Sequence, residues 1–221
     1  MMNFESARAN MVDNQLRTTD VTSHSVLTAF LTVPREAFVP EKAKALAYID
    51  RDVEILSAAS GKPARYLMQP SPLAKLLQLA AVTKDDVVLE IGAGSGYVSA
   101  LLSQLAGTVI AVEEDETLAA EAKANLAGYT NVSVVTGPLN GGSPSGAPYD
   151  LIFISGSVEE VPASLLSQLR DGGRLVTVQG YGGSARAKVF VSERGTVSEN
   201  VYFNASVKPL PGFAKAREFV F

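Results

Sequence analysis

The sequence predicts an α/β fold, a doubly wound, mostly parallel seven-stranded sheet preceded by amino-terminal helices. Three observations predict it. Short runs rich in β-branched residues recur after residue 80, at 87–91, 109–112, 132–136, 151–154 and 175–178, most of them separated by stretches of helical spacing such as Leu118 to Leu126. Alternation of that kind implies parallel strands with helices on both faces of the sheet. The first run leads into a glycine-rich turn, Gly92-Ala93-Gly94-Ser95-Gly96, at the place where open α/β sheets hold their ligands. The chain has 221 residues, 47% of them hydrophobic, which suits one substantial core.

Taken in order, Ala9, Val12 and Leu16 share a helical spacing, as do Val26, Leu27, Phe30 and Leu31. Pro34 and Pro40 interrupt that pattern. The stretch from Asp50 to Tyr66 is polar and reads as irregular, and Ser71-Pro72 reads as an N-cap and first helical residue leading into a helix over 73–80. Five parallel strands follow. After Gly182-Gly183, the runs 189–191 and 197–203 flank Glu193-Arg194-Gly195-Thr196 and close the sheet as an antiparallel hairpin. Asn140 to Pro148 reads as a surface loop, and no internal repeat divides the chain. Residues 1–221 are therefore expected to form a single domain, with 1–80 as a helical cap carrying a substrate loop and 81–221 as a cofactor-binding sheet.

Composition removes several functions. A net charge of -4 argues against nucleic acid as a partner. The chain has no cysteine and His24 is its only histidine, so disulfides, thiolate chemistry and multi-histidine metal sites are out and no metal is expected. The start MMNFESARAN has no apolar signal core, and no run of about 18 apolar residues offers a membrane span. A cytoplasmic protein without a membrane partner is expected.

The glycine turn narrows the ligand. Its Gly-x-Gly-x-Gly spacing is not the dinucleotide fingerprint, and no lysine follows as a phosphate-binding loop requires. Glu90, two residues before Gly92, would repel a diphosphate and suit a ligand with positive charge. S-adenosylmethionine carries an ammonium and a sulfonium. Glu113 ends the second strand, 21 residues after Gly92, where a carboxylate can accept both ribose hydroxyl protons, a task common to dinucleotide and S-adenosylmethionine sites. Together these residues favour S-adenosylmethionine over NAD as cofactor. Each also has a plainer reading: a lone strand-end glutamate is commonly just solvated, and three glycines can simply make a tight turn. Glu114, Asp115 and Glu116 read as the acidic first turn of a helix, and His24 as an exposed or capping residue.

Missing residues narrow the methyl acceptor. Transfer to cytosine carbon needs a cysteine. Ser155-Gly156-Ser157-Val158 stands where amine methylation shows Asp/Asn-Pro-Pro-aromatic and where catechol methylation needs an acidic metal ligand. A carboxylate fits, because it is ionised at neutral pH and needs only alignment.

The segments "MVDNQLR" (11–17), "VLTAFLTVPREAFVP" (26–40), "AYID" (47–50), "QPSPLAKLLQL" (69–79) and "VLEIGAGSGY" (88–97) resemble the protein-L-isoaspartate O-methyltransferases in order and spacing. "NVSVVTG" (131–137), "PYDLIFISGS" (148–157), "LLSQLRDGGRLVTVQG" (165–180) and "VKPLPG" (207–212) continue the resemblance over nearly the whole chain. It implies a Rossmann-like class I methyltransferase fold and methyl transfer to isoaspartyl carboxylates of damaged proteins. It also implies cofactor contacts from Glu90, Gly92, Ala93, Gly94, Ser95, Gly96 and Glu113, with Gly137, Pro138 and Leu139 at the adenine end. No catalytic side chain is identified. The chain departs from the family where Met68 and Tyr66 replace the serine and threonine of Thr-x-Ser-Gln-Pro, where Pro138 replaces an aspartate, and where the loop 51–65 is longer and charged. Altered or weak activity follows as an expectation, with a non-catalytic S-adenosylmethionine-binding or regulatory protein as the alternative. Tyr66 is a candidate replacement hydroxyl. Arg65 and Lys62 could attract an acidic substrate, though solvated loop charges are the ordinary reading.

Overall fold

The computed structural model describes residues 3–59 and 61–215; residues 1, 2, 60 and 216–221 of the expected single domain lie outside the described residues. Helix α1 (Phe4–Met11) is capped by the Asn3 side chain and continues as a wider helical turn through Leu16. Helix α2 (His24–Thr32) is capped by Ser23, and His24 is exposed at its first position. The stretch expected to be irregular instead pairs two short antiparallel strands, β1 (Val53–Leu56) and β2 (Arg65–Leu67). Val53, Ile55, Arg65 and Leu67 are buried on them, an alternation too short to stand out among polar neighbours.

Helix α3 (Pro70–Ala80) starts earlier than expected, with Gln69 at its N-cap and Pro70 in its first turn. Ser71 is no cap: its hydroxyl donates to Asp50 Oδ2 at 2.6 Å. The sheet then runs β3 (Val87–Ile91), α4 (Tyr97–Leu105), β4 (Thr108–Glu113), α5 (Glu116–Asn125), β5 (Val132–Thr136), β6 (Tyr149–Val158), the single turn α6 (Ala163–Leu166), β7 (Leu169–Gln179), β8 (Arg186–Glu193) and β9 (Thr196–Asn204). Its order is β5-β4-β3-β6-β7-β8-β9. The first five are parallel and the last two antiparallel, as expected. Arg194 and Gly195 join β8 to β9 with φ of 50° and 78°, the left-handed pair that a two-residue hairpin turn demands.

The amino-terminal helices share one core with a face of the sheet, from Met11, Leu16 and Phe30 to Leu101, Phe153 and Val176. Leu89, Ile91, Ile152, Leu175 and Leu210 fill the other face. Strand order reverses at β3, since β4 and β5 lie on one side of it and β6 and β7 on the other. The carboxyl end of β3 is thus the topological switch point.

Candidate active site

At that switch point the chain turns through Gly92, Gly94 and Gly96, whose φ values of 85°, 57° and 96° lie in the left-handed region. The backbone amides of Gly92 and Ala93 both bond Val112 O of β4, at 2.9 and 3.1 Å. Ser95 Oγ donates to Phe38 O at 2.6 Å, so the amino-terminal cap also grips the turn. A Cβ on Gly94 would stand 2.8 Å from Ile55 Cδ1. Gly94→Ala is expected to cost about 1–2 kcal/mol from the left-handed φ alone; urea denaturation measures it, and unchanged stability would refute it.

Glu90, at the end of β3, is fully buried. Its carboxylate accepts hydrogen bonds from Ser99 Oγ of α4 and from Ser155 Oγ of β6, the latter at 2.7 Å. Burial outweighs those two donors and pushes its pKa up to about 7. A carboxyl held at its midpoint near neutrality, beside a glycine turn, becomes a strong anion as soon as a cation settles next to it.

Glu113 ends β4 and is also fully buried. Arg65 forks onto it, Nη1 to Oε1 at 2.7 Å and Nη2 to Oε2 at 2.8 Å. Three backbone amides add to the carboxylate: Gly94 N at 2.8 Å to Oε2, and Glu114 N and Asp115 N at 3.0 and 3.1 Å to Oε1. The reading of Arg65 as a solvated loop charge is thereby corrected. The bulge in β1 between Glu54 and Leu56, opposite Arg65, is the kind of local disruption that re-aims a side chain. Lys62 is exposed yet reaches Asp115 Oδ2 at 3.0 Å, and that pairing pulls the Asp115 pKa down. Asp115 also caps α5, accepting from Thr117 N and Leu118 N; of the expected acidic first turn only Glu116 lies within the helix.

Beyond Glu113 lies a cavity of about 400 Å³ lined by Leu56, Lys62, Arg65, Asp115, Gly137 and Pro138, among others. Gly137 N bonds Glu113 O at 3.0 Å, Pro138 is exposed, and Leu139 is buried behind it. The structure thus places Glu90, residues 92–96, Glu113 and 137–139 at the carboxyl ends of the three adjacent strands β3, β4 and β5.

The segment 66–69 directly follows Arg65, which lines that cavity. Met68 is only 5% exposed and belongs to the main core, so position 68 serves packing. Met68→Ser is therefore expected to destabilise the fold by about 2–4 kcal/mol; a loss under about 1 kcal/mol in a urea melt would show that the side chain is not a core element. Tyr66 is half-buried, with Lys208 Nζ 5.0 Å from its ring centroid. Ser157 N donates to Lys208 O at 3.0 Å, and Leu210 packs over Gly92 and Gly156, so the 207–210 segment crosses the carboxyl end of β6.

Sequence reasoning missed Arg35. It is fully buried, donates Nε–H to Ala47 O at 2.7 Å and Nη2–H to Met68 O at 2.8 Å, and places its guanidinium 4.9 Å from the Tyr97 ring centroid. Its place inside a quoted motif, "VPREAFVP", was the available signal.

A family model described as protein-L-isoaspartate(D-aspartate) O-methyltransferase matches residues 6–209. A protein named protein-L-isoaspartate O-methyltransferase from Koribacter versatilis is 39% identical over 175 residues, covering 78% of this chain and 76% of its own. A second, named protein-L-isoaspartate O-methyltransferase 2, from Shewanella sediminis, is 40% identical over 191 residues, covering 86% and 76%. A solved protein-L-isoaspartate O-methyltransferase superposes with a TM-score of 0.79 at 28% identity, over 93% of this chain and 66% of that one. The fold also matches a Plasmodium falciparum structure, titled a putative protein-L-isoaspartate O-methyltransferase in complex with S-adenosyl-L-homocysteine, with a TM-score of 0.75 at 16% identity over 94% and 98%.

Proposed function

The chain belongs to the protein-L-isoaspartate(D-aspartate) O-methyltransferase family, and from that premise we propose that it methylates isoaspartyl carboxylates of damaged proteins with S-adenosylmethionine as donor. The observation that carries this reading is Glu90, a fully buried carboxyl beside the glycine turn at the switch point. A charge buried there weakens the fold unless it serves a ligand, and a cationic amino acid tail is the ligand it suits.

The residues present fit the donor. Glu90 would take the ammonium, the turn 92–96 would let the tail approach bare backbone, and Glu113, held here by Arg65, would receive the ribose. Gly137 and Pro138, which line the cavity together with Leu56, would border the adenine end, with Leu139 buried behind them. When bound, the donor supplies a methyl group made electrophilic by its sulfonium. The protein's part is alignment, because the acceptor carboxylate is already ionised and needs no general base. On the acceptor side Lys208, above the Tyr66 ring, offers a cation to an approaching carboxylate and stands in for the family's serine hydroxyl, absent at position 68. Residues 1–221 act as one unit in this reading, with 1–80 as cap and substrate loop over the cofactor-binding sheet 81–221. Among the described residues no helix is long and apolar enough to cross a membrane.

Incubation with labelled donor, an isoaspartyl peptide and its aspartyl counterpart tests the proposal. A base-labile methyl ester on the isoaspartyl peptide alone is expected. Donor binding without ester formation on either peptide would overturn it in favour of a non-catalytic binding protein.

A further inference from the structure

The hydrogen-bonding capacity of Glu113 is filled. Oε1 accepts from Arg65 Nη1, Glu114 N and Asp115 N, and Oε2 accepts from Arg65 Nη2 and Gly94 N. A ribose diol recognised by the same carboxylate would donate two O–H bonds where the guanidinium now donates two N–H bonds. Both cannot be present, because Arg65 lines the adjoining cavity while the fully buried Glu113 does not, so the guanidinium stands between the carboxylate and any ligand there.

Resting on the cofactor reading above, we propose that Arg65 sets the affinity for S-adenosylmethionine by competing with the donor's ribose for Glu113. Three features make the exchange workable. The three backbone amides remain on Glu113 when the guanidinium leaves, so the carboxylate is never stranded. The adjoining cavity is walled by Glu114, Asp115 and Glu116, so a displaced Arg65 stays among carboxylates. The strands that carry Arg65 stay anchored through Val53, Ile55 and Leu67 in the core, so the exchange needs only the side chain to move, and the neighbouring Lys62–Asp115 pair, in which Lys62 is largely exposed, contributes little and releases easily.

The consequence is quantitative. Apparent affinity falls by the fraction of molecules competent to bind, so a pair that holds Glu113 in about nine molecules of ten weakens binding about tenfold. Arg65 thereby becomes the residue through which the charged segment 51–65, which carries β1 and the start of β2, acts on the cofactor.

Calorimetric titration of S-adenosylhomocysteine, which carries the same ribose, into wild type, Arg65→Gln, Glu113→Gln and the double variant tests this. Arg65→Gln is expected to bind about tenfold more tightly than wild type, and that gain is expected to vanish in the Glu113→Gln background. Equal or weaker binding by a folded Arg65→Gln protein would overturn the proposal, as would a gain that persists without Glu113. Should Arg65→Gln not fold, Arg65→Lys keeps the charge but loses the two-pronged geometry, and about threefold tighter binding is expected; no gain would again overturn it. Binding by none of the proteins would overturn the cofactor reading itself, whereas binding by wild type without the gain overturns only the role of Arg65.

Discussion

Glu90→Gln is expected to weaken S-adenosylmethionine binding about a hundredfold while making the protein more stable above pH 7. The two effects have one origin. Burial raises the Glu90 pKa from 4.5 to about 7, so the folded state holds a proton that the unfolded chain releases between those values. The group's contribution is most favourable below pH 4.5 and is lost as pH rises towards 7, by about 3 kcal/mol in all. Glutamine carries no charge to desolvate, keeps an acceptor for one serine hydroxyl, and offers its N–H to the other. It cannot neutralise an ammonium, and losing a charge-assisted bond of about 3 kcal/mol corresponds to about a hundredfold in affinity.

The same logic sets the pH dependence of binding. Between pH 6 and 7.5 the wild type should bind the donor more tightly as pH rises, because binding favours ionised Glu90. Glu90→Gln should show a flat profile over that range. Thermal unfolding against pH with calorimetry at several pH values measures both effects. A variant that binds as well as wild type, or that loses stability at pH 8, would remove Glu90 from the site.

Arg35→Ala carries the largest expected effect on the fold, about 3–5 kcal/mol. The substitution leaves a cavity beneath the Tyr97 ring and strips Ala47 O and Met68 O of their donor. Tyr97 follows the glycine turn directly and packs edge-on against Phe30 and Phe38 at 6.3 and 5.6 Å. Arg35 therefore ties the 66–69 segment, which follows the cavity-lining Arg65, to the base of α4, and cofactor binding is expected to weaken along with stability. Desolvation pulls its pKa down from the usual arginine value, and the neighbouring Tyr97 partly offsets that. Arg35→Lys should rescue little, since one ammonium does not reproduce a planar fork reaching two carbonyls at once. Urea denaturation of both variants gives the answer, and a loss under 1 kcal/mol for Arg35→Ala would show that the two carbonyls are satisfied by other means.

Much of this architecture is local information. The strands of the sheet, the glycine turn and the Arg194-Gly195 hairpin follow from periodicity and turn chemistry within windows of about ten residues, and Glu90 and Glu113 were identifiable from their distances to Gly92. What the sequence could not decide is which charges meet. Arg65 finds Glu113 48 residues away, Ser155 finds Glu90 across 65, and Arg35 finds Met68 across 33. Position 68 looked like a lost hydroxyl because a motif reports which residue is present and not which way it faces; folding turned Met68 into the core and gave its carbonyl to Arg35. The residue-by-residue pattern determined the sheet and the place of its site, because those depend on neighbours along the chain. The state of the site's carboxylates, one poised near neutrality and one held by a guanidinium, was decided only when distant segments were packed out of water, since desolvation and pairing depend on what surrounds a charge in space.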